Sequence, residues 1–320
     1  MGYHLRLHRF FKSSGPGSAV TALCLHRINP VNDILFPPLT PGVFAALIRI
    51  LKKEYEITGF EGIHELVASP SRKKPALVLS FDDGYKDFLE YGLPIIRKEK
   101  ITVNHNIVIN CAETGQLIWT QRLNNILSWL AATQKTLDID FADISMHKKV
   151  EGQLLAVKAE LFRILFSRPY TFVDALTTSL EKKYSFSQPA GEMMNWEDII
   201  TCQKEGVEIG SHTICHGSLG HYDDAAFVNN EIAGSKKILE EKLKQPVHSL
   251  AFPNGWAHPA AYEAAIKAGY KNLLLIDSVK YDFDLKPGPC IYPYKRILVG
   301  HPSVYENVFN IAGFHKALRR

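Results

Sequence analysis

What most restricts the fold of this chain is a rhythm: short apolar runs rich in β-branched residues alternate with longer segments carrying apolar residues at helical spacing. The runs fall at residues 19–26, 76–82, 101–109, 207–212, 247–253, 272–277 and 296–299, and helical patterns occupy 44–54, 85–99, 196–205, 224–244 and 259–268. Strands that alternate with helices pair in parallel, because each helix carries the chain back to the end of the sheet where it began. Seven such strands with several one-sided helices predict a (β/α) barrel of irregular outline rather than an open sheet. One stretch breaks the rhythm. Residues 113–191 contain no run that reads as a strand, only helical patterns at 120–132, 148–166 and 172–184. Structureless connections of that length are rare, so the stretch is expected to be a helical insertion in one strand-to-helix connection. It would lie on the face where barrels build their sites, as a lid or substrate platform. The expected organisation is an N-terminal extension at 1–18, a barrel formed by 19–112 and 192–310, and the insertion at 113–191.

Composition narrows the function classes. Hydrophobic residues make up 46% and charged residues 22% of the chain, which excludes a disordered or fibrous protein. The net charge of +4 is mild and Lys and Arg are interspersed with acids, so no nucleic-acid partner is expected. The five cysteines, Cys24, Cys111, Cys202, Cys215 and Cys290, form no Cys-x-x-Cys pair; they are expected to be small buried thiols in a reducing compartment. No stretch approaches the roughly 20 apolar residues of a membrane span. The N-terminal residues lack the apolar core of a secretory signal, so a cytoplasmic location is expected.

The polar residues that stand out follow directly on strand-like runs. Residues 77–81 lead into Asp82-Asp83-Gly84, 207–211 into His212 and His216, 250–252 into Pro253-Asn254-Gly255, and 23–25 into His26-Arg27. In a parallel barrel all strand C-termini open on one face, so these four ends are expected to converge. His212 and His216 stand at i and i+4, a common spacing for two imidazoles on one metal. A carboxylate would complete a set with open positions for water and substrate. Of two adjacent aspartates, one can ligate while its neighbour takes a proton. Taken singly each signal has a plain reading: Asp-Asp-Gly and Pro-Asn-Gly are turns, and two histidines can simply be solvated. The ordered combination is what points to a site.

These segments resemble the polysaccharide deacetylase family, which shares the NodB homology domain (carbohydrate esterase family 4). Ser80-Phe81-Asp82-Asp83-Gly84-Tyr85 is similar to that family's first motif, residues 208–216 to its second and Phe252-Pro253-Asn254-Gly255 to its third, with His26-Arg27 near the start, and Trp196, Glu231, Ser235 and Arg296 also in place. The resemblance covers about residues 19–49, 76–110 and 193–299 and leaves the insertion aside. It implies a distorted (β/α)7 barrel and a metal-dependent hydrolase that removes an acyl group, normally N-acetyl, from a carbohydrate containing an amino sugar. Asp83, His212 and His216 would hold one divalent metal, zinc or else cobalt or nickel. Asp82 would be the base and water held by the metal the nucleophile. Pro253, Asn254 and Gly255 would bind the substrate and the oxyanion through a backbone N–H near Asn254.

The sequence departs from the family where an arginine usually precedes the third motif. Arg296 is expected to replace it as the ion-pair partner that keeps Asp82 deprotonated. The general acid is expected to be His26, with His301 as the other candidate. His105 could line the pocket with Asn104 and Asn106, or pack in the core. Two alternatives to a deacetylase remain: a deformylase of a lipid-linked or nucleotide-linked amino sugar, and a non-catalytic carbohydrate-binding protein.

Overall fold

The computed structural model describes residues 20–220, 224–278 and 291–313. The expected N-terminal extension and Cys290 therefore lie outside the described residues. The described residues form ten strands: β1 (Val20–Leu25), β2 (Glu56–Ile57), β3 (Ala76–Phe81), β4 (Asn104–Ile107), β5 (Thr136–Phe141), β6 (Ile144–Lys149), β7 (Glu208–Ser211), β8 (Ser249–Ala251), β9 (Asn272–Ile276) and β10 (Tyr292–Leu298). Seven of them close a parallel barrel in the order β1-β10-β9-β8-β7-β4-β3, and β3 pairs back onto β1. The short β2 shares the edge of β3 with β4, pairing at Ala76 and Leu77 while β4 pairs at Ser80 and Phe81.

Period-two alternation explains how β3 serves two environments. All six of its residues are buried. Leu77, Leu79 and Phe81 point outward into the large core between barrel and helices. Ala76 and Val78 point inward, with Phe60, Ile63, Ala251 and Leu274 in a small core that plugs the barrel. Ser80, on the inward face and one step nearer the C-terminal end, begins a polar layer instead. The same parity settles His105. It pairs with Phe81 across the sheet and therefore faces outward, packed against the rings of Phe81 and Phe88 at 5.9 and 4.3 Å. It is a core residue, and burial holds its pKa down to about 4.

The insertion differs from the sequence expectation. Its helices, Trp119–Ala132, Leu154–Leu165 and Tyr170–Tyr184, surround an antiparallel hairpin of β5 and β6, where no strand was expected. Leu137, Ile139, Ile144 and Met146 alternate with exposed polar residues and join Leu123, Leu161 and Leu176 in a separate core. The helix expected from residue 148 begins only at Leu154, because Lys148 belongs to β6 and Gly152 turns the chain at φ 73°. On the barrel, β10 begins at Tyr292, four residues before the expected start. The four described cysteines are free and buried. Among the described residues no helix is long and apolar enough to cross a membrane.

Candidate active site

The C-terminal ends of β1, β3, β7 and β8 meet at one cavity of about 860 Å³, lined by His26, Asp82, Asp83, His212, His216 and Asn254, with Gly255 beside them. The backbone is bent sharply there. Asp83, Thr213, His216 and Asn254 all have positive φ, at 78°, 69°, 59° and 57°. Such conformations cost of order 1–3 kcal/mol each outside glycine and persist where surrounding structure holds them. The loop carrying the histidines is held from several sides. His212 N–H donates to Ile107 O (2.8 Å), His216 N–H to Thr213 Oγ1 (3.2 Å) and Cys215 N–H to the Glu231 carboxylate (3.0 Å). Glu231 sits in a π-helical turn, Asn230–Gly234, that interrupts the helix expected at 224–244. From the insertion, Trp119 Nε1–H reaches His216 O at 3.1 Å.

Asp83, His212 and His216 converge. Asp83 Oδ1 lies 3.3 Å from His212 Nε2 and 3.5 Å from His216 Nε2, all three residues buried. In neutral His212 the Nδ1–H donates to Ala251 O (2.8 Å), which leaves Nε2 directing a lone pair at the carboxylate. Burial opposes charge on His212, but the Asp82 and Asp83 carboxylates outweigh it and raise its pKa. His216 is different: burial dominates and lowers it to about 4, so it offers a neutral nitrogen. With both imidazoles neutral, their lone pairs facing a buried carboxylate call for a cation between them, and one oxygen with two imidazoles fits a divalent ion of borderline softness.

Asp82 is turned the other way, into the polar layer of the barrel. Burial would raise its pKa, yet the buried Arg296 guanidinium holds it well below the usual carboxylate range. Arg296 donates twice, Nη1 to Oδ1 (2.8 Å) and Nη2 to Oδ2 (2.7 Å), in the bidentate geometry that guanidinium and carboxylate favour. Asn106 Nδ2 adds a bond to Oδ1 (2.7 Å) and the Cys24 thiol one to Oδ2 (3.4 Å). Ser80 Oγ joins the layer, accepting from Arg296 and Asn106 and donating to Asn104. Gly210 is required beside it: a Cβ there would fall 2.1 Å from Asn106 Oδ1.

The remaining sequence candidates separate. His26 is half-buried on the cavity wall, near Cys24 and Asp82, with its ring edge on Phe36. His301 is exposed and away from the cavity, where its Nδ1 accepts the Ser303 N–H (3.0 Å) ahead of helix Val304–Ile311. Arg27 turns aside to pair with Asp87 at 2.8 Å. Asn254 and Gly255 line the cavity and Pro253 is buried behind them. The Gly255 N–H is spent on Phe252 O (2.9 Å), while Asn254 Nδ2 is buried without a hydrogen-bond partner among the described residues. Asn104 and Asn106, read from the sequence as a polar cluster that could line the pocket, face the polar layer, where Asn106 meets Asp82. Cys24 and Trp119 were not recognised as site residues from the sequence, because they act across the fold and leave no local signal.

Fold and site together define a parallel-barrel protein with a buried carboxylate–imidazole centre at the strand C-termini. Residues 166–273 match the sequence model of the family described as polysaccharide deacetylase. A peptidoglycan-N-acetylglucosamine deacetylase of Bacillus cereus is 37% identical over 73 residues, which is 22% of this chain and only 32% of that relative's length. The Streptococcus pyogenes deacetylase PplD, solved with acetate, superposes with a TM-score of 0.59 at 14% identity over 92% of this chain and 99% of its own. A polysaccharide deacetylase from Bacillus cereus gives 0.58 at 14% identity over 92% of this chain and 69% of its own. Over residues 166–273 the chain is thus similar to the polysaccharide deacetylase family, and its barrel is the (β/α)7 fold of the solved deacetylases.

Proposed function

We propose that this protein hydrolyses the N-acyl group of an amino-sugar-containing carbohydrate at the face where β1, β3, β7 and β8 end. The observation that carries the reading is the division of two neighbouring aspartates: Asp83 faces two imidazoles, and Asp82 faces a buried arginine. Asp83, His212 and His216 would hold one divalent ion, zinc being the best match to the donor set, and it would supply Lewis-acid polarisation of water and acyl oxygen. Asp82, fixed by Arg296, Asn106 and Cys24, takes the proton from the attacking water. So strongly stabilised a carboxylate is a weak base, and it suits a water that is already acidified. The Asn254 corner offers the donor for the tetrahedral oxygen. His26, on the same wall, is placed to protonate the departing amine. A reducing, cytoplasmic setting agrees with the free buried cysteines.

The test is metal analysis coupled to mass spectrometry of acetylated and formylated amino sugars. We expect about one divalent ion per chain, release of acetate or formate, loss of metal in His212→Ala and Asp83→Ala, and retained metal in Asp82→Asn with activity down by roughly 10²-fold or more. Full metal occupancy in the first two variants, or full activity in Asp82→Asn, would reject the assignment.

A further inference from the structure

The wall of the cavity facing the strand ends comes from the insertion, and apart from a polar corner at Thr120 and Asn124 it is mainly apolar with two cations. One stripe of the helix Leu154–Leu165 and its C-cap lines the cavity: Leu155, Lys158, Ala159, Phe162, Arg163 and Phe166. Their spacing (i, i+3, i+4, i+7, i+8, i+11) is that of one helix face. Val157, Leu161 and Leu165, on the other face, pack into the insertion's own core. Ile118 and Phe36 extend the apolar lining inward. At the mouth stand Leu155, Trp256 and Leu298, exposed by 63%, 39% and 50%. These are three of the six large hydrophobic residues left exposed among the described residues, gathered on one rim. An apolar surface concentrated around a cavity, rather than scattered, marks a binding surface.

Charge narrows the occupant. Among the described lining residues the only carboxylates are Asp82 and Asp83, both committed to the groups already described. Lys158 and Arg163 are cations in that apolar stripe, and neither has a carboxylate within ion-pair distance among the described residues. Lys158 is half-buried, its Nζ donating to Leu35 O, and burial lowers its pKa. The Phe162 ring lies 5.2 Å from Nζ and the Asp33 carboxylate opposes burial only in part, so this half-buried ammonium, with no carboxylate paired to it, is poorly compensated until an anion arrives.

We infer that the acylated sugar is presented on a phosphate-linked hydrocarbon carrier: sugar at Asp82 and Asp83, phosphate between Lys158 and Arg163, chain along Leu155, Phe162 and Trp256. The assignment rests on the proposed deacylation and specifies its substrate class. A cavity of about 860 Å³ falls in the range that encloses a drug-sized ligand, enough for a sugar phosphate and the first part of a chain.

The experiment separates binding from turnover in the full-length protein. Dodecyl phosphate, dodecyl maltoside and inorganic phosphate are titrated below micellar concentrations, with calorimetry as the readout. We expect dodecyl phosphate to bind at least about tenfold more tightly than either partial probe, since only it offers both charge and chain. Arg163→Gln and Leu155→Glu, both at exposed positions, should each weaken it by about tenfold. Equal affinity for dodecyl maltoside or for inorganic phosphate, or unaltered affinity in both variants, overturns the assignment. Hydrolysis is then compared between dodecyl-phospho-N-acetylglucosamine and acetylated chito-oligosaccharides. A higher kcat/KM for the phospholipid-type sugar, reduced in Arg163→Gln, supports it, and preference for the oligosaccharide overturns it. Selective binding of dodecyl phosphate with no hydrolysis of any acylated sugar would support the cavity assignment while rejecting the deacylase reading.

Discussion

At the residue scale the site turns on one fully buried ion pair. Arg296 and Asp82 desolvate each other, and their mutual attraction is what makes both burials tolerable. Removing a single partner leaves an uncompensated charge, which costs about 3–5 kcal/mol. Arg296→Met is therefore expected to destabilise the protein by about that amount in urea unfolding, and adding Asp82→Asn to it should return part of the loss. Additive losses in the double variant would mean that the pair contributes through packing and not charge. Asp82, Asp83, His212 and His216 were legible in the sequence because each sits within a few residues of a strand end, where local pattern and chemistry coincide. Arg296 was legible only through a gap, the missing arginine before Pro253. Cys24 is the small buried thiol expected, but its contact with Asp82, 58 residues away, was not legible, because only the β1–β3 pairing creates it.

At the element scale the insertion and the barrel share the site rather than merely adjoining it. Helix Trp119–Ala132 sends the Trp119 indole N–H to the carbonyl of His216, so a residue of the insertion braces the loop that carries a proposed metal ligand. Groups behind a metal ligand are typically worth about 10- to 100-fold in metal affinity. Trp119→Phe keeps a packed ring and loses the donor, and we expect metal affinity to fall by about tenfold in chelator competition with the melting temperature nearly unchanged. Undiminished affinity would mean that the bonds to Ile107, Thr213 and Glu231 hold the loop without the indole. The helices of the insertion were legible from their 3.6-residue spacing. The hairpin was not: each strand of β5 and β6 is six residues long, and the second runs into a segment whose Lys and Val residues also suit a helix start. Cross-strand pairs such as Ile139 with Met146 stabilise it only once the surrounding helices close over them.

At the scale of the whole molecule the closed barrel separates a chemical face from a structural one, and β7 spans both. Its last residue, Ser211, leads into His212, while its first, Glu208, lies at the opposite end and caps the loop that plugs the barrel. The Glu208 carboxylate accepts the N–H groups of Phe60 (2.6 Å) and Glu61 (3.1 Å), and Gly59 is required there because a Cβ would fall 1.9 Å from Glu208 Oε1. Burial raises the Glu208 pKa from 4.5 to about 7, only partly opposed by those two N–H groups. The sign of the consequence follows from proton counting. Between pH 4.5 and about 7 the folded protein retains a proton that the unfolded chain has released, so stability contributed by this group is complete below 4.5 and is lost as pH rises through 7. Glu208→Gln cannot release that proton. We expect the melting temperature of the wild type, taken relative to Glu208→Gln in matched buffers, to fall steadily across that window and then level off. The difference between the two proteins cancels titrations elsewhere, including those of the buried histidines, because the two ends of β7 share no side-chain partner. Metal affinity, set at the other end of the strand, should be the same in both proteins. A wild-type-minus-variant difference that stays flat from pH 4.5 to 8 would place the Glu208 pKa near its ordinary value and give the two N–H groups, not burial, control of its charge.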